Sequence, residues 1–252
     1  MAFKNIIFEK QEKIAKIIIN RPEVLNALNK KTRAEIVSAI DEAENDDNLN
    51  VIILTGAGEE AFSAGQDLNE SVDFDGEGAR EWIEEHDTLY KRIINTTKPV
   101  VASLRGYSVG AGFQVALLAD IRICSENAKF AFTEINVGIP TITGTGTLWH
   151  LTNLSNIKEL VLTGDIINSK RAKEMGLVNQ VVSNEELEKA TLMVAKQLAE
   201  KPRTAMMLNK KLFAKLITPF FGTIFEEAAN SHAIAYGSGD PEKLMRHFLK
   251  EK

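Results

Sequence analysis

Glu134 closes the run Lys129-Phe130-Ala131-Phe132-Thr133-Glu134. Alternation sets Phe130, Phe132 and Glu134 on one face of a strand if the strand lasts that long. A carboxylate beside two aromatic rings is drawn out of water, and burial lifts its proton affinity toward neutrality, as general acid–base work requires. The competing reading leaves Glu134 past the strand's end as an ordinary solvated acid. Two other segments, Ala61-Phe62-Ser63-Ala64-Gly65-Gln66-Asp67-Leu68 and Gly106-Tyr107-Ser108-Val109-Gly110-Ala111-Gly112-Phe113-Gln114, crowd small residues where a strand gives way to irregular chain or a helix. Small side chains let a ligand approach the backbone, and free N–H groups at a helix start attract developing negative charge. Together they can supply two convergent donors; alternatively, their glycines serve only tight packing.

Other chemistry is weaker. Gly56-Ala57-Gly58-Glu59-Glu60-Ala61 fits the spacing of a dinucleotide fingerprint, but that fingerprint needs a helix opening at the glycines, and two glutamates there repel phosphate. A plain strand-to-loop turn is expected. Asp73-Phe74-Asp75-Gly76-Glu77-Gly78 lacks the full calcium-loop spacing and is expected to be a solvated, mobile acidic loop. His86, His150, His232 and His247 have no metal-binding or triad spacing and are assigned to structure or surface. Cys124 is the single cysteine, which excludes an internal disulfide and a multi-thiolate metal site. Its apolar setting marks it as a buried hydrophobe.

The elements that must position these residues alternate in type. Strands are predicted at Ile14–Ile19, Val51–Leu54, Val100–Leu104, Ile121–Cys124 and Lys129–Thr133, and helices at Lys31–Glu44, Arg80–Ile94 and Ala111–Ala119. Such alternation favours an α/β architecture with mostly parallel strands. From Leu148 onward only Val178–Val182 reads as a strand. Ser183 and Glu186 form a capping-box pattern for a helix ending near Lys201. Pro202, Pro219 and Pro241 punctuate the tail, and Met206–Ile217 offers an apolar face of Met206, Leu208, Leu212 and Leu216 that must pack on something, such as a neighbouring subunit.

The chain has 252 residues and a net charge of -5, which suits one principal domain and a small-molecule partner rather than nucleic acid or an anionic membrane. Met1 to Lys10 lacks the apolar core of a signal peptide or spanning helix, so a cytoplasmic location is the expectation.

Taken in order, these segments resemble the crotonase superfamily, the enoyl-CoA hydratase/isomerase family. Asn20-Arg21-Pro22-Glu23-Val24-Leu25-Asn26-Ala27-Leu28 is similar to its NRP-x-x-x-NAL stretch. AFSAGQDL, GYSVGAGF and FTEINVGIP follow, then Leu162-Thr163-Gly164 with Ala172, Gly176, Leu177 and Val178. The resemblance implies a crotonase-like spiral of repeated ββα units (residues 1–195) and a helical C-terminal trimerisation region (196–252), giving a homotrimer or homohexamer. It implies that the backbone N–H groups of Gln66 and Ala111 form an oxyanion hole for a thioester carbonyl. Val24, Ala64, Gln66, Asp67 and Leu68 would lie along coenzyme A, which enters only as part of the acyl-CoA substrate; no separate cofactor or metal is implied.

The departure from the family pattern is Gln114, where the hydratases resembling this chain carry the first of two catalytic glutamates. An amide does not exchange a proton at neutral pH. Glu134 matches the second glutamate, and isomerases in the family work with that one alone, taking a proton from C2 and returning it at C4. Double-bond isomerisation is therefore the leading expectation, with enoyl-CoA hydration or dehydration as one alternative and non-catalytic acyl-CoA binding as another.

Overall fold

A computed structural model describes residues 3–250. Met1 and Ala2 of the N-terminal stretch, and Glu251 and Lys252 of the helical region, lie outside the described residues. The first element is an antiparallel hairpin of β1 (Ile6–Gln11) and β2 (Ile14–Ile19). After α1 (Lys30–Asn45), capped by the Asn29 side chain accepting from Thr32 N–H, comes β3 (Val51–Gly56), parallel to β2. All six residues of β3 are buried, as befits a parallel strand covered on both faces.

Three ββα units follow one design. The first is β3, β4 (Ala61–Ser63), then the short α2 (Leu68–Ser71) and α3 (Gly76–Asn95). The second is β5 (Val100–Leu104), β6 (Tyr107–Val109) and α4 (Ala111–Leu117). The third is β7 (Ile121–Ser125), β8 (Lys129–Ala131) and α5 (Ile142–Leu148). Each unit gives its first strand to one sheet and its second to another. The chain continues through α6 (Leu154–Thr163), β9 (Ile167–Asn168), α7 (Ser169–Glu174), β10 (Gln180–Val182), α8 (Leu187–Ala199), α9 (Arg203–Gly237) and α10 (Asp240–Lys250). The larger sheet runs β1-β2-β3-β5-β7-β10 and the smaller β4-β6-β8-β9; among the described strand pairs, β1–β2 and β8–β9 alone are antiparallel. This is the α/β spiral of ββα units with a helical C-terminal region that the sequence predicts.

Alternation along the large sheet sorts the core. Val51, Ile53 and Val101 face one side with Leu187, Ala190 and Ala195 of α8, while Ile52, Leu54, Val100 and Ala102 face the other with residues of α1 and α3.

Several local expectations are corrected. The chain at Asp73–Gly78 is tied down rather than mobile: Asp75 accepts from the N–H groups of Glu77 and Gly78, capping α3, and Asp73 pairs with Arg246 of α10. Ser183 does not cap α8, because a turn in which Glu186 N–H donates to Ser183 C=O precedes the helix. Pro219 does not punctuate the tail but sits inside α9, whose flanking Phe221 and Phe225 are buried and hold the helix across the lost N–H donor. The strand leading to Glu134 stops at Ala131, and Thr133–Val137 is a 3₁₀ turn. No described helix is long and apolar enough to cross a membrane.

Candidate active site

The Asn20–Leu28 stretch works as a strut. Leu25 and Asn26 both adopt positive φ, at 51° and 57°, a costly conformation for non-glycine residues that the surroundings must enforce. The enforcement comes from buried Asn26. Its Oδ1 accepts from Arg21 N–H at 2.9 Å, and its Nδ2 donates to the carbonyls of Ala57 and Ala61 at 2.9 and 2.8 Å. Arg21 in turn donates to Asp67 Oδ2 at 2.9 Å, and Asp67 caps α2. Ala64 N–H donates to Leu25 C=O at 2.9 Å, which sets it beside the turn containing Val24, and Leu68 opens α2.

This strut presents Gln66. Leu28 N–H donates to Gly65 C=O and Asp67 N–H to Leu28 C=O, a short parallel bridge that leaves the Gln66 N–H out. Gly65 has a positive φ, and a Cβ there would lie 2.7 Å from Val109 C=O and 3.3 Å from the nitrogen of Ala111. The two small-residue segments therefore abut, and glycine is what permits the approach. Ala111 is the first residue of α4, so its N–H has no acceptor within the helix. A Cβ at Gly110, also at positive φ, would lie 3.4 Å from Glu134 Oε1. The structure thus brings Gln66, Ala111, Gln114 and Glu134 to one place.

The Gln66 side chain does not enter that place. Its Oε1 accepts from Arg33 at 2.9 Å and from Trp82 Nε1 at 3.0 Å, and its Nε2 donates to Glu70 at 2.9 Å. Arg33, only 2 % exposed, also bonds Leu28 C=O, Glu70 and Glu85.

Glu134 is half-buried as a residue, but its Oε2 is shut off from solvent and has no partner. Its Oε1 accepts from Gln114 Nε2 at 2.8 Å, and Gln114 Oε1 accepts from the Tyr90 hydroxyl at 2.6 Å. Burial outweighs the backbone and Gln114 donors and pushes the carboxyl up to about 7. Burial, with Glu134 nearby, pushes the Tyr90 phenol well above its ordinary value, so it stays protonated. Phe113 packs on Phe130 and Phe132 at 5.0 and 5.1 Å, and the carboxyl is carried on the 3₁₀ turn rather than on the same strand face as these rings. A base poised near neutrality beside two unbonded backbone N–H groups can move a proton next to a carbonyl whose oxygen those groups receive.

Residues 9–233 match the sequence profile of the enoyl-CoA hydratase/isomerase family. The chain belongs to that family, the crotonase superfamily. This crotonase is 34% identical to the crotonyl-CoA hydratase of Syntrophomonas wolfei, over 100% of its own length and 97% of the relative's. It is 32% identical to the short-chain-enoyl-CoA hydratase of Clostridium acetobutylicum, with the same coverage. The crystal structure of an enoyl-CoA hydratase/isomerase from Xanthobacter autotrophicus Py2 superposes with a TM-score of 0.89 at 29% identity, covering 96% of this chain and 91% of that one. The chain is an enzyme of this superfamily, which sets aside the non-catalytic alternative.

Sequence reasoning passed over Tyr90, Arg33, Trp82 and the strut role of Asn26. Trp82, His86 and Tyr90 share one face of α3 at i, i+4 and i+8. That polar-tipped aromatic stripe was the available signal. Gly56–Ala61 is a turn into β4 with no helix opening, unlike a dinucleotide fingerprint. No three His, Cys, Asp or Glu side chains among the described residues form a metal site. Burial pushes the Cys124 thiol up to about 12, away from nucleophilic use.

Proposed function

We propose that this crotonase migrates the double bond of an enoyl-CoA, with Glu134 as its only acid–base. The thioester oxygen is received by the N–H groups of Gln66 and Ala111, and the pantetheine runs along Val24, Ala64, Asp67 and Leu68. Glu134 takes the C2 proton, the C–H pair delocalises onto the thioester oxygen, and the proton returns at C4 as the double bond moves from C3–C4 to C2–C3. Two fixed donors of this kind are worth about 3–4 kcal/mol each toward the enolate. The observation that carries the reading is the direct bond between Gln114 Nε2 and Glu134 Oε1. A second carboxylate is replaced by a group that can neither take nor give a proton.

Hydration is the second reading, favoured by the hydratase names of the full-length relatives at 34% and 32% identity. Under it, Glu134 alone would deprotonate a water that Gln114 helps to hold. Incubating purified enzyme with 2-enoyl-, 3-enoyl- and 3-hydroxyacyl-CoAs, with product mass and double-bond position read out, separates the two. Rapid water addition to the 2-enoyl-CoA with no migration in the 3-enoyl-CoA would sink the isomerase reading.

The division into a spiral core (1–195) and a helical region (196–252) belongs to the same proposal, supported by the end of strand structure at Val182. Assembly as a homotrimer or homohexamer is supported by Leu208, Leu212, Phe213 and Leu216, which α9 leaves exposed.

A further inference from the structure

Tyr90 belongs to none of the sequence motifs. It lies in the middle of α3, fully buried, with its ring edge-on to Phe225 of α9 at 5.4 Å and to His86 at 6.0 Å. Its hydroxyl donates to the side-chain oxygen of Gln114 at 2.6 Å, with the Thr143 side chain as a second hydrogen-bonding neighbour. The amide so held turns its nitrogen to Glu134 at 2.8 Å. Oε2 of Glu134 is thereby left without a partner.

We infer that Tyr90 is a positioning residue for the proton shuttle: by donating to Gln114 it fixes which end of the amide meets Glu134, and so whether the carboxyl is favoured as the anion that can take a proton. The inference rests on Glu134 being the base. A glutamine amide has nearly the same shape in its two orientations, and only its bonding partners tell them apart. In the observed orientation an N–H faces Oε1, which favours the anion that takes a proton from substrate. In the reversed orientation two acceptors would face each other, an arrangement that holds only when Glu134 carries a proton. Amide orientation and Glu134 protonation are therefore linked, and the Tyr90 hydroxyl weights the pair toward the working anion. Without that hydroxyl the amide loses its preference, and the protonated acid gains an acceptor that it lacks in the wild type.

The elements packed against this chain of bonds carry many charged and titratable groups, most of them on outward faces. Buried among them are Arg33 on α1, His86 on α3 and His232 on α9; α6 and α10, the two helices that pack against the 3₁₀ turn, carry Lys158 and Glu159, and Asp240, Glu242, Lys243, Arg246, His247 and Lys250. Both histidines are buried and held neutral, burial pushing His86 down to about 3 and His232 to about 4. Neither titrates in the range where Glu134 does.

The test is the pH dependence of kcat/KM on a 3-enoyl-CoA for wild type, Tyr90→Phe, Gln114→Leu and the double variant. Tyr90→Phe keeps the ring packed on Phe225 and should move the acid limb upward by about one pH unit, the scale of one hydrogen bond to a carboxylate. In the Gln114→Leu background the same substitution should move it no further, because Tyr90 acts only through the amide. Placing 3-fluorotyrosine at position 90, a stronger donor, should move the limb the other way. An unmoved limb in Tyr90→Phe, even with lower turnover or Tm, would reduce Tyr90 to a packing residue and overturn the inference. So would a second shift of equal size on the Gln114→Leu background. Glu134→Gln measured alongside keeps the two ideas apart: full turnover there sinks the assignment of the base, whereas an inactive Glu134→Gln with an unmoved Tyr90→Phe limb sinks only the role of Tyr90.

Discussion

The guanidinium of Arg33 donates to the side-chain oxygen of Gln66 at 2.9 Å, so the residue offering a backbone N–H to the site is gripped from behind by its own side chain. Arg33 makes four bonds from a buried position, to Leu28, Gln66, Glu70 and Glu85. Removing it leaves several polar groups unpaired at once. Arg33→Met should cost about 2–4 kcal/mol in urea unfolding. Arg33→Lys should recover little of that, since an ammonium cannot reproduce the fork. Stability of Arg33→Met within 0.5 kcal/mol of wild type, on the scale of an ordinary surface substitution, would show that the clamp is dispensable.

Glu134→Gln keeps the shape and hydrogen bonding of the side chain but removes the proton carrier. Turnover should fall by about 10² to 10⁴-fold while acyl-CoA affinity survives. With the carboxyl pushed up to about 7, wild-type kcat/KM should climb through neutral pH as the base ionises. A flat profile between pH 5 and 9 would contradict the assignment.

The same carboxyl makes stability depend on pH. Its proton is held more tightly in the folded state, about 7 against an ordinary 4.5, so between those values the native protein binds the extra proton and stability falls as pH rises. The contribution is at most about 3 kcal/mol. Glu134→Gln lacks it. The Tm of the variant relative to wild type should therefore increase from pH 5 to pH 8, and a constant difference across that range would be the contrary result.

Gln114→Glu places two carboxyls within direct hydrogen-bonding distance. They will titrate as a pair, one well above the other. Water addition to a 2-enoyl-CoA should gain on migration in a 3-enoyl-CoA, read as the ratio of the two products by mass and chromatography. An unchanged ratio would remove Gln114 from the choice of reaction.

Leu212 and Leu216 on α9 are 52% and 70% exposed. If they meet neighbouring subunits, Leu212→Glu with Leu216→Glu should shift sedimentation from trimer or hexamer to monomer. A wild-type monomer at micromolar concentration would end the assembly proposal.

Particular residues explain how far the fold and site were legible in the sequence. Ile14–Ile19 and Val100–Leu104 coincide with β2 and β5 because both are short, mostly apolar runs rich in Ile or Val, the signature of strands in a covered sheet. The start of α3 was hidden, since Asp75, Gly76 and Gly78 read as loop until Asp75 is seen accepting from two N–H groups. Pro219 misled for the opposite reason: tertiary packing of Phe221 and Phe225 overrides a local break. Glu134 lies against Gln114 although the strand expected to carry it ends three residues earlier, at Ala131. The roles of Arg33 and Tyr90 were hidden because their partners lie 33 and 24 positions away: the aromatic stripe on α3 could point to Tyr90, but no local periodicity encodes a contact of that range.

The site draws on separate units of the spiral: one N–H follows β4, the other opens α4 after β6, and the carboxyl follows β8. Under the proposed function, the groups that would grip the thioester oxygen and the carboxyl that would carry the proton therefore lie on different stretches of chain. A change of one side chain, such as Gln114, could then alter the reaction while the backbone groups that would receive the handle shared by all acyl-CoAs stayed as they were. A division of labour of that kind would let chemistry drift where binding need not.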